Sequence, residues 1–366
     1  MTAYNRINAS TPDAMEQAAK PPLSSIPDDV TMLRAAAELT RDISKARPEI
    51  YWPDMLASAF IGYIGLAGAI LADNWALALL CGVVAVLGLY RALGFIHELT
   101  HVRNGALPGF RFGWNALVGV PLLIPSFLYE GVHTLHHQRI RYGTVEDPEY
   151  LPLALMKPWS LPVFILVALL APVGVLLRFG ILTPLGLIFP PFRRLVAEKY
   201  SALSINPAFR RRPAEGALKQ QWFWQEGASM VWAIVLMSSV AFVGWKPLLV
   251  WAAVLSGVAV LNQLRTLVAH LWENEGEAMT VTAQYLDSVN VPPPSLLAPL
   301  WAPVGLRYHA LHHLLPSLPY HSLGLAHRRL EERLGLNSTY EQASYPGLFM
   351  LVGRLAKATM GGHKQG

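Results

Sequence analysis

The chain has 366 residues, of which 53% are hydrophobic and only 14% charged, with a mean hydropathy of +0.34. Soluble domains are about one quarter charged, so this composition predicts an integral membrane protein, and a net charge of only +5 argues against a nucleic-acid partner. The single cysteine, Cys81, excludes an intrachain disulfide and an iron–sulfur cluster, which needs several thiolates.

Residues 1–50 are polar and mixed in charge, without the apolar run of a signal peptide. They read as a cytosolic segment: a flexible, Pro-containing tail through residue 30, then a short amphipathic helix from Asp29 to Lys45. Asp28 or Asp29 can cap that helix, and Met32, Leu33, Ala36 and Leu39 share one face. Met55 to Ala72 is uncharged and long enough to cross a hydrocarbon core of about 30 Å. Asp73-Asn74 makes a turn, and Trp75 to Tyr90 returns, its helical pattern running on through Arg91 to His101.

Gly113 to Tyr129 is apolar but short and interrupted by Pro121 and Pro125, which predicts an interfacial or re-entrant segment. Residues 161–177 and 179–192 are two apolar runs split by Arg178, and they predict an intramembrane or interfacial hairpin. The basic stretch that follows, from Arg193 to Lys219, reads as a positive-inside loop on anionic lipid, or as a docking patch for an acidic electron carrier. Gly227 to Trp245 and Pro247 to Leu264 form a second transmembrane hairpin, whose returning helix runs past Arg265 to His270. The remainder is mostly polar and predicts a helix from Leu325 to Leu334 and a loose tail.

The domain division is therefore 1–50, a membrane domain over 51–335, and a tail over 336–366. The fold class is an all-α membrane protein built on two hairpins, that is, four spanning helices with interfacial helices between them. Six Lys and Arg lie in the N-terminal segment, seven in the 191–226 loop and seven in the C-terminal segment, against one in the two hairpin turns. The positive-inside rule then puts both termini and the histidine motifs on the cytoplasmic side of a cytoplasmic or inner membrane.

Eight of the 12 histidines fall in three boxes. The first is His97-Glu98-Leu99-Thr100-His101. The second is His133-Thr134-Leu135-His136-His137, and the third, His309-Ala310-Leu311-His312-His313, repeats its spacing. A helix brings i, i+3 and i+4 to one face, so each H-x-x-H-H offers three imidazoles to one point. Eight ligands exceed the four that satisfy one zinc ion, and two metal ions fit the count. His270, placed like His97 just beyond a returning helix, supplies a ninth. A neutral imidazole shell leaves the ions Lewis-acidic. Redox-capable iron held so can use O2 as co-substrate, and the apolar surroundings suggest a lipid chain.

These motifs resemble those of the membrane fatty-acid desaturases and the related lipid hydroxylases and carotenoid ketolases, over roughly Met55 to Leu334. The resemblance extends through His313-Leu314-Leu315-Pro316 to His321 and Ala326-His327-Arg328-Arg329, as in bacterial members. It implies two irons on the boxed histidines and His270, and a cytosolic helical cap over a four-helix stalk. Thr266 stands where stearoyl-type members carry an asparagine that reaches iron through water. The activity implied is O2-dependent desaturation of an acyl chain, with hydroxylation or ketolation as the alternative. Electrons must come from a ferredoxin or a cytochrome b5-like donor with its reductase, since the chain has no redox domain of its own. Glu98, Asp147, Thr266 and His321 are candidates for orienting the ligands, although Asp147 and Glu149 read first as a solvated loop. Trp114 and Trp301 are candidates for lining a substrate tunnel. Two further readings compete. His97-Glu98-x-x-His101 matches a zinc-protease signature, and the histidines could serve non-catalytic metal binding or transport.

Overall fold

The structure is a computed structural model, and it describes residues 22–103 and 105–361. Most of the tail expected over residues 1–30 lies outside the described residues, as does His363. Within them the chain is helical, with isolated β-bridges and no strand.

Helix α1 (Val30–Leu39) starts where the Asp29 side chain accepts from the Met32 N–H at 3.0 Å. Helix α2 (Pro48–Leu71) begins with proline, whose missing N–H costs nothing in the first turn. Helix α3 (Trp75–His101) is capped by Asn74, which accepts from Ala76 and Leu77 N–H groups. These two make the first hairpin, and α3 carries the first box as expected. Their seam is built of small residues: a Cβ at Gly65 would stand 2.6 Å from the Ala85 nitrogen, and one at Gly88 the same distance from that of Gly62. Lipid gives apolar side chains no reason to desert it, so close backbone approach does the holding. The outer faces, with Phe60, Ile64, Leu79 and Leu80, are exposed and apolar.

Helix α4 (Phe110–Trp114) and a π turn over Asn115–Gly119 fill the stretch read as interfacial. Helix α5 (His133–His136) is a single turn holding the second box. The stretch read as an intramembrane or interfacial hairpin is a continuous series of short helical segments over Ser160–Ile188. It comprises α6 (Ser160–Leu166), a 3-10 turn, α7 (Ala171–Leu177), a π turn over Arg178–Leu182 and α8 (Thr183–Ile188). Pro172 and Pro184 each fall in the first turn of a new segment, where no donor is needed. Arg178 does not break the run because its guanidinium is buried against Glu226 at 2.7 Å. Five described helices are thus long and apolar enough to cross a membrane, one more than the four expected.

Helix α9 (Pro190–Lys199) leads to the second hairpin, α10 (Gly216–Val243) and α11 (Lys246–Leu267). Lys246 donates to the Ala72 carbonyl at 2.9 Å, so the turns of the two hairpins adjoin. Helix α11 stops three residues short of His270. The rest of the chain supplies α12 (Val281–Asp287), α13 (Ala298–Trp301), α14 (His309–Leu314), which is the third box, α15 (Tyr320–Leu334) and α16 (Leu348–Gly361). The stretch expected to be a loose tail therefore contains a helix, whose Leu351 and Leu355 are buried. Met32 and Ala36 of α1 share a core with Leu311 of α14 and Leu323, Ala326 and Leu330 of α15. This layer packs on the histidine-bearing end of the hairpins.

Candidate metal centre

All nine predicted histidines converge. One group contains His97, His101, His133, His137 and His312, the other His136, His270, His309 and His313, and within each group one nitrogen per ring lies within 4.8 Å of all the others. The boxes do not each serve one point. His133 and His137 join the first group and His136 the second, while His309 and His313 join the second and His312 the first. On a helix, i+3 and i+4 differ by about 100° in direction, so a single turn fans its three imidazoles over two centres.

The ring nitrogens meet in a way that hydrogen bonding cannot account for. Nε2 of His133 is 2.9 Å from that of His137, and Nε2 of His312 is 3.2 Å from those of His101 and His137. In the second group Nε2 of His309 lies 3.1 Å from His270 and 3.2 Å from His313. Both nitrogens of His97 are buried with no hydrogen-bond partner. Each facing nitrogen carries one proton or one lone pair, so Nε2 of His137, His312 and His309, each close to two others, cannot be satisfied by hydrogen bonds alone, and a cation between the lone pairs would relieve their repulsion. The nine imidazoles therefore fit two metal ions.

Acidic and hydroxyl partners orient several of these rings. His136 Nδ1 donates to Asp147 at 2.9 Å, and Asp147 also accepts from the backbone N–H groups of Gly143 and Glu149, both at 2.8 Å. His133 Nδ1 lies 2.9 Å from Glu149 and 2.8 Å from the Tyr129 hydroxyl, which itself donates to Glu149. His270 Nδ1 donates to the Tyr142 hydroxyl at 2.8 Å, and Tyr142 passes its own proton to Asp287 at 2.8 Å. Asp147 and Glu149 are thus not a solvated loop; Asp147 is wholly buried.

Desolvation, reinforced by neighbouring imidazoles, holds His133, His137, His270, His309, His312 and His313 well below the ordinary histidine range, neutral as a ligand must be. At His136 burial works the same way, but the Asp147 carboxylate outweighs it and the net direction is upward. Burial pushes Glu149 up to about 7 and Asp287 up to about 6.

The other candidates fall elsewhere. The Glu98 carboxylate accepts from the Tyr51 hydroxyl and from the Tyr320 backbone N–H at 3.1 Å, so it ties α2 and α15 to the first box. A protease base would have to be free to take a proton from a metal-bound water, and this carboxylate is instead engaged by Tyr51 and Tyr320. Thr266 donates to the Asn262 carbonyl within α11 at 2.9 Å. His321 lies edge-on to Tyr51, outside both groups. Trp114 donates to the Ala92 carbonyl in the hairpin core, and Trp301 packs with Val289 and Leu306; neither lines the cavity next to the histidines.

Tyr129, Tyr142, Asp287 and Trp272 were not foreseen. Trp272 holds a left-handed backbone (φ 62°), caps α11 by donating to the Leu267 carbonyl, and sets its ring 5.0 Å from that of His270. That turn is what aims His270 back at the cluster.

A cavity of about 390 Å³ runs from His97, Tyr129 and Glu149 down between α3, the Ser160–Ile188 run and α11. Its deeper wall is apolar, with Leu93, Ala168, Ala171, Val175 and Ala259.

Residues 73–344 match the family described as fatty acid desaturase. The chain is also 50% identical over 329 residues to a ceramide hydroxylase of Caulobacter vibrioides, covering 89% of this chain and 93% of that one.

Proposed function

This chain belongs to the fatty acid desaturase family and is an oxidoreductase, and from that premise we propose that it is an O2-dependent di-iron hydroxylase of a ceramide-like membrane lipid. The hydroxylase alternative displaces the desaturase expectation, because half of the 329 aligned residues are shared with a relative named for hydroxylation. The observation that carries the reading is the pair of histidine groups, the first of which opens at His97 onto an apolar cavity.

In this reading His97, His101, His133, His137 and His312 hold one iron, and His136, His270, His309 and His313 the other. When bound, the irons supply the oxidising power that breaks an unactivated C–H bond. Overall, one C–H bond, O2, two electrons and two protons become one C–OH bond and water. The chain's own part is positional. The cavity walls bury the alkyl chain and keep bulk water from it. Asp147, Glu149 and the Tyr142–Asp287 pair keep His136, His133 and His270 pointing their Nε2 atoms inward. Electrons come from an external one-electron carrier, a ferredoxin or cytochrome b5-like protein.

We also propose four crossings. The second box precedes the Ser160–Ile188 run and His270 follows α11, yet their rings belong to one centre. The chain between them must then cross an even number of times. Helices α10 and α11 account for two, so the run enters and leaves on one side. Termini, histidines and the α12–α15 cap are cytoplasmic by the distribution of Lys and Arg.

The test is expression of wild type and His312→Ala in a ceramide-producing host, with lipid mass spectrometry and metal analysis. The expected result is hydroxylated ceramide and close to two irons per chain for wild type, with hydroxylation abolished in the variant. Desaturated lipid without hydroxylated product would overturn the hydroxylase reading, and one zinc without iron would overturn the metal assignment.

A further inference from the structure

One charged group in the cavity has no task in the metal centre. Arg265 lies in the last turn of α11 and lines the cavity with its neighbours Asn262, Gln263 and Thr266. Its Nε is buried without a hydrogen-bond partner, and among the described residues the rest of the guanidinium reaches only neutral oxygens, the Tyr90 hydroxyl and, at a long 3.4 Å, the Asn262 side-chain oxygen. Among the described residues no carboxylate forms an ion pair with it. The nearest acid along the cavity, Glu149, is already committed to His133 and Tyr129.

The position is central. Arg265 lines the same cavity as His97, Tyr129 and Glu149. An arginine near a helix C-terminus often serves only the helix dipole or reaches out to the interface. Here the side chain faces inward, beside a site that gathers metal cations. A guanidinium held in such a place is costly unless something supplies oxygen acceptors for its fork of five N–H donors. The protein supplies two neutral ones, the Tyr90 hydroxyl and the Asn262 side chain, so the ligand is the source for the remaining donors.

We infer that Arg265, with Asn262 and Gln263, grips the carbonyl and hydroxyl oxygens of the substrate's polar head, so that the oxidised carbon lies a few bonds from that head and not in mid-chain. The apolar walls at Leu93, Ala168 and Ala259 then receive the alkyl chain beyond it. Arg265 is in this view a specificity-determining residue, and the inference rests on the lipid-hydroxylase reading above.

The experiment uses the iron-loaded enzyme in membranes, with ceramides and otherwise identical chains lacking the amide or the head hydroxyl. The new hydroxyl is located by tandem mass spectrometry. Wild type is expected to hydroxylate next to the head and to discriminate against the truncated lipids. Arg265→Gln is expected to raise KM about ten- to a hundred-fold, the scale of one lost charge-assisted hydrogen bond, with iron content unchanged and discrimination lost. Gln263→Leu, a milder change, should weaken discrimination in the same direction. Hydroxylation in mid-chain by wild type would overturn the inference while leaving the hydroxylase reading intact. So would an Arg265→Gln enzyme with unchanged KM, discrimination and product position. If Arg265→Gln fails to accumulate, the wild-type product position and Gln263→Leu still decide. No hydroxylated product from wild type removes the premise itself.

Discussion

Asp147 and Glu149 divide their work between the two histidine groups. Asp147 holds His136 in the group of four, and Glu149 holds His133 in the group of five. Removing one charge should therefore weaken one position at a time. Partners of this kind are worth about ten- to a hundred-fold in metal affinity. Asp147→Asn is expected to lower the occupancy of one iron by that factor and Glu149→Gln the other, with the double variant close to the product of the two. Iron per chain after dialysis against a graded chelator series measures this; wild-type retention in both variants would mean that the acids do not orient ligands. At this scale the sequence was informative where chemistry repeats itself. Eight histidines declared themselves through spacing and His270 through its place beyond a returning helix, and all nine lie in the two groups. Asp287 did not, since it sits on α12 with no histidine near it in sequence and meets His270 only through Tyr142. Glu149 looked like solvent-facing loop because burial by distant segments leaves no local pattern.

Helices α2 and α3 are pressed together along Gly62, Gly65, Ala85 and Gly88, and that contact bears on the centre because α3 carries His97 and His101. Gly65→Leu would drive a side chain into the Ala85 nitrogen and Cys81 carbonyl, which are backbone and cannot rotate away. The helices must separate, at a cost of about 1–3 kcal/mol. The bond from Tyr51 to Glu98 across the same seam weakens with them. Thermal unfolding in detergent should show Gly65→Leu melting below wild type and losing iron in parallel. Gly82→Leu, where a Cβ meets nothing within 4 Å, should match wild type. Equal melting of both variants would show that the seam is not tightly packed. Both hairpins were legible in advance because long uncharged runs separated by a short polar turn have one simple solution in lipid. The Ser160–Ile188 run was not. Its prolines and Arg178 read as breaks, yet 3-10 and π turns absorb the prolines, and Glu226, 48 residues away, neutralises the arginine.

Taken as a whole, the molecule must reconcile five membrane-length helices with one histidine centre. The neighbours of the Ser160–Ile188 run suggest how. Phe164 shares a core with Leu264 and Leu267 at the histidine end of α11, and the Leu169 carbonyl accepts from Ser256 midway along that helix. Gly180 lies against Ala233 in the middle of α10, and Arg193, just beyond the run, pairs with Glu226, nearer the start of α10. Such a path descends beside one helix and climbs beside the other. The prediction follows from parity and is tested with the single cysteine, Cys81, changed to serine. New cysteines at Asp73 and Trp245, in the adjoining hairpin turns, should react with a membrane-impermeant maleimide from the periplasmic side of intact cells. Cysteines at Arg212 and Glu332 should react only after permeabilisation. The deciding pair is Trp159→Cys and Phe189→Cys, which flank the run. Labelling of both only after permeabilisation makes the run re-entrant and leaves the histidines on one face of a four-span stalk. Labelling of the two from opposite faces would give an odd number of crossings between the second box and His270, and rings on opposite sides of a bilayer cannot share one metal centre.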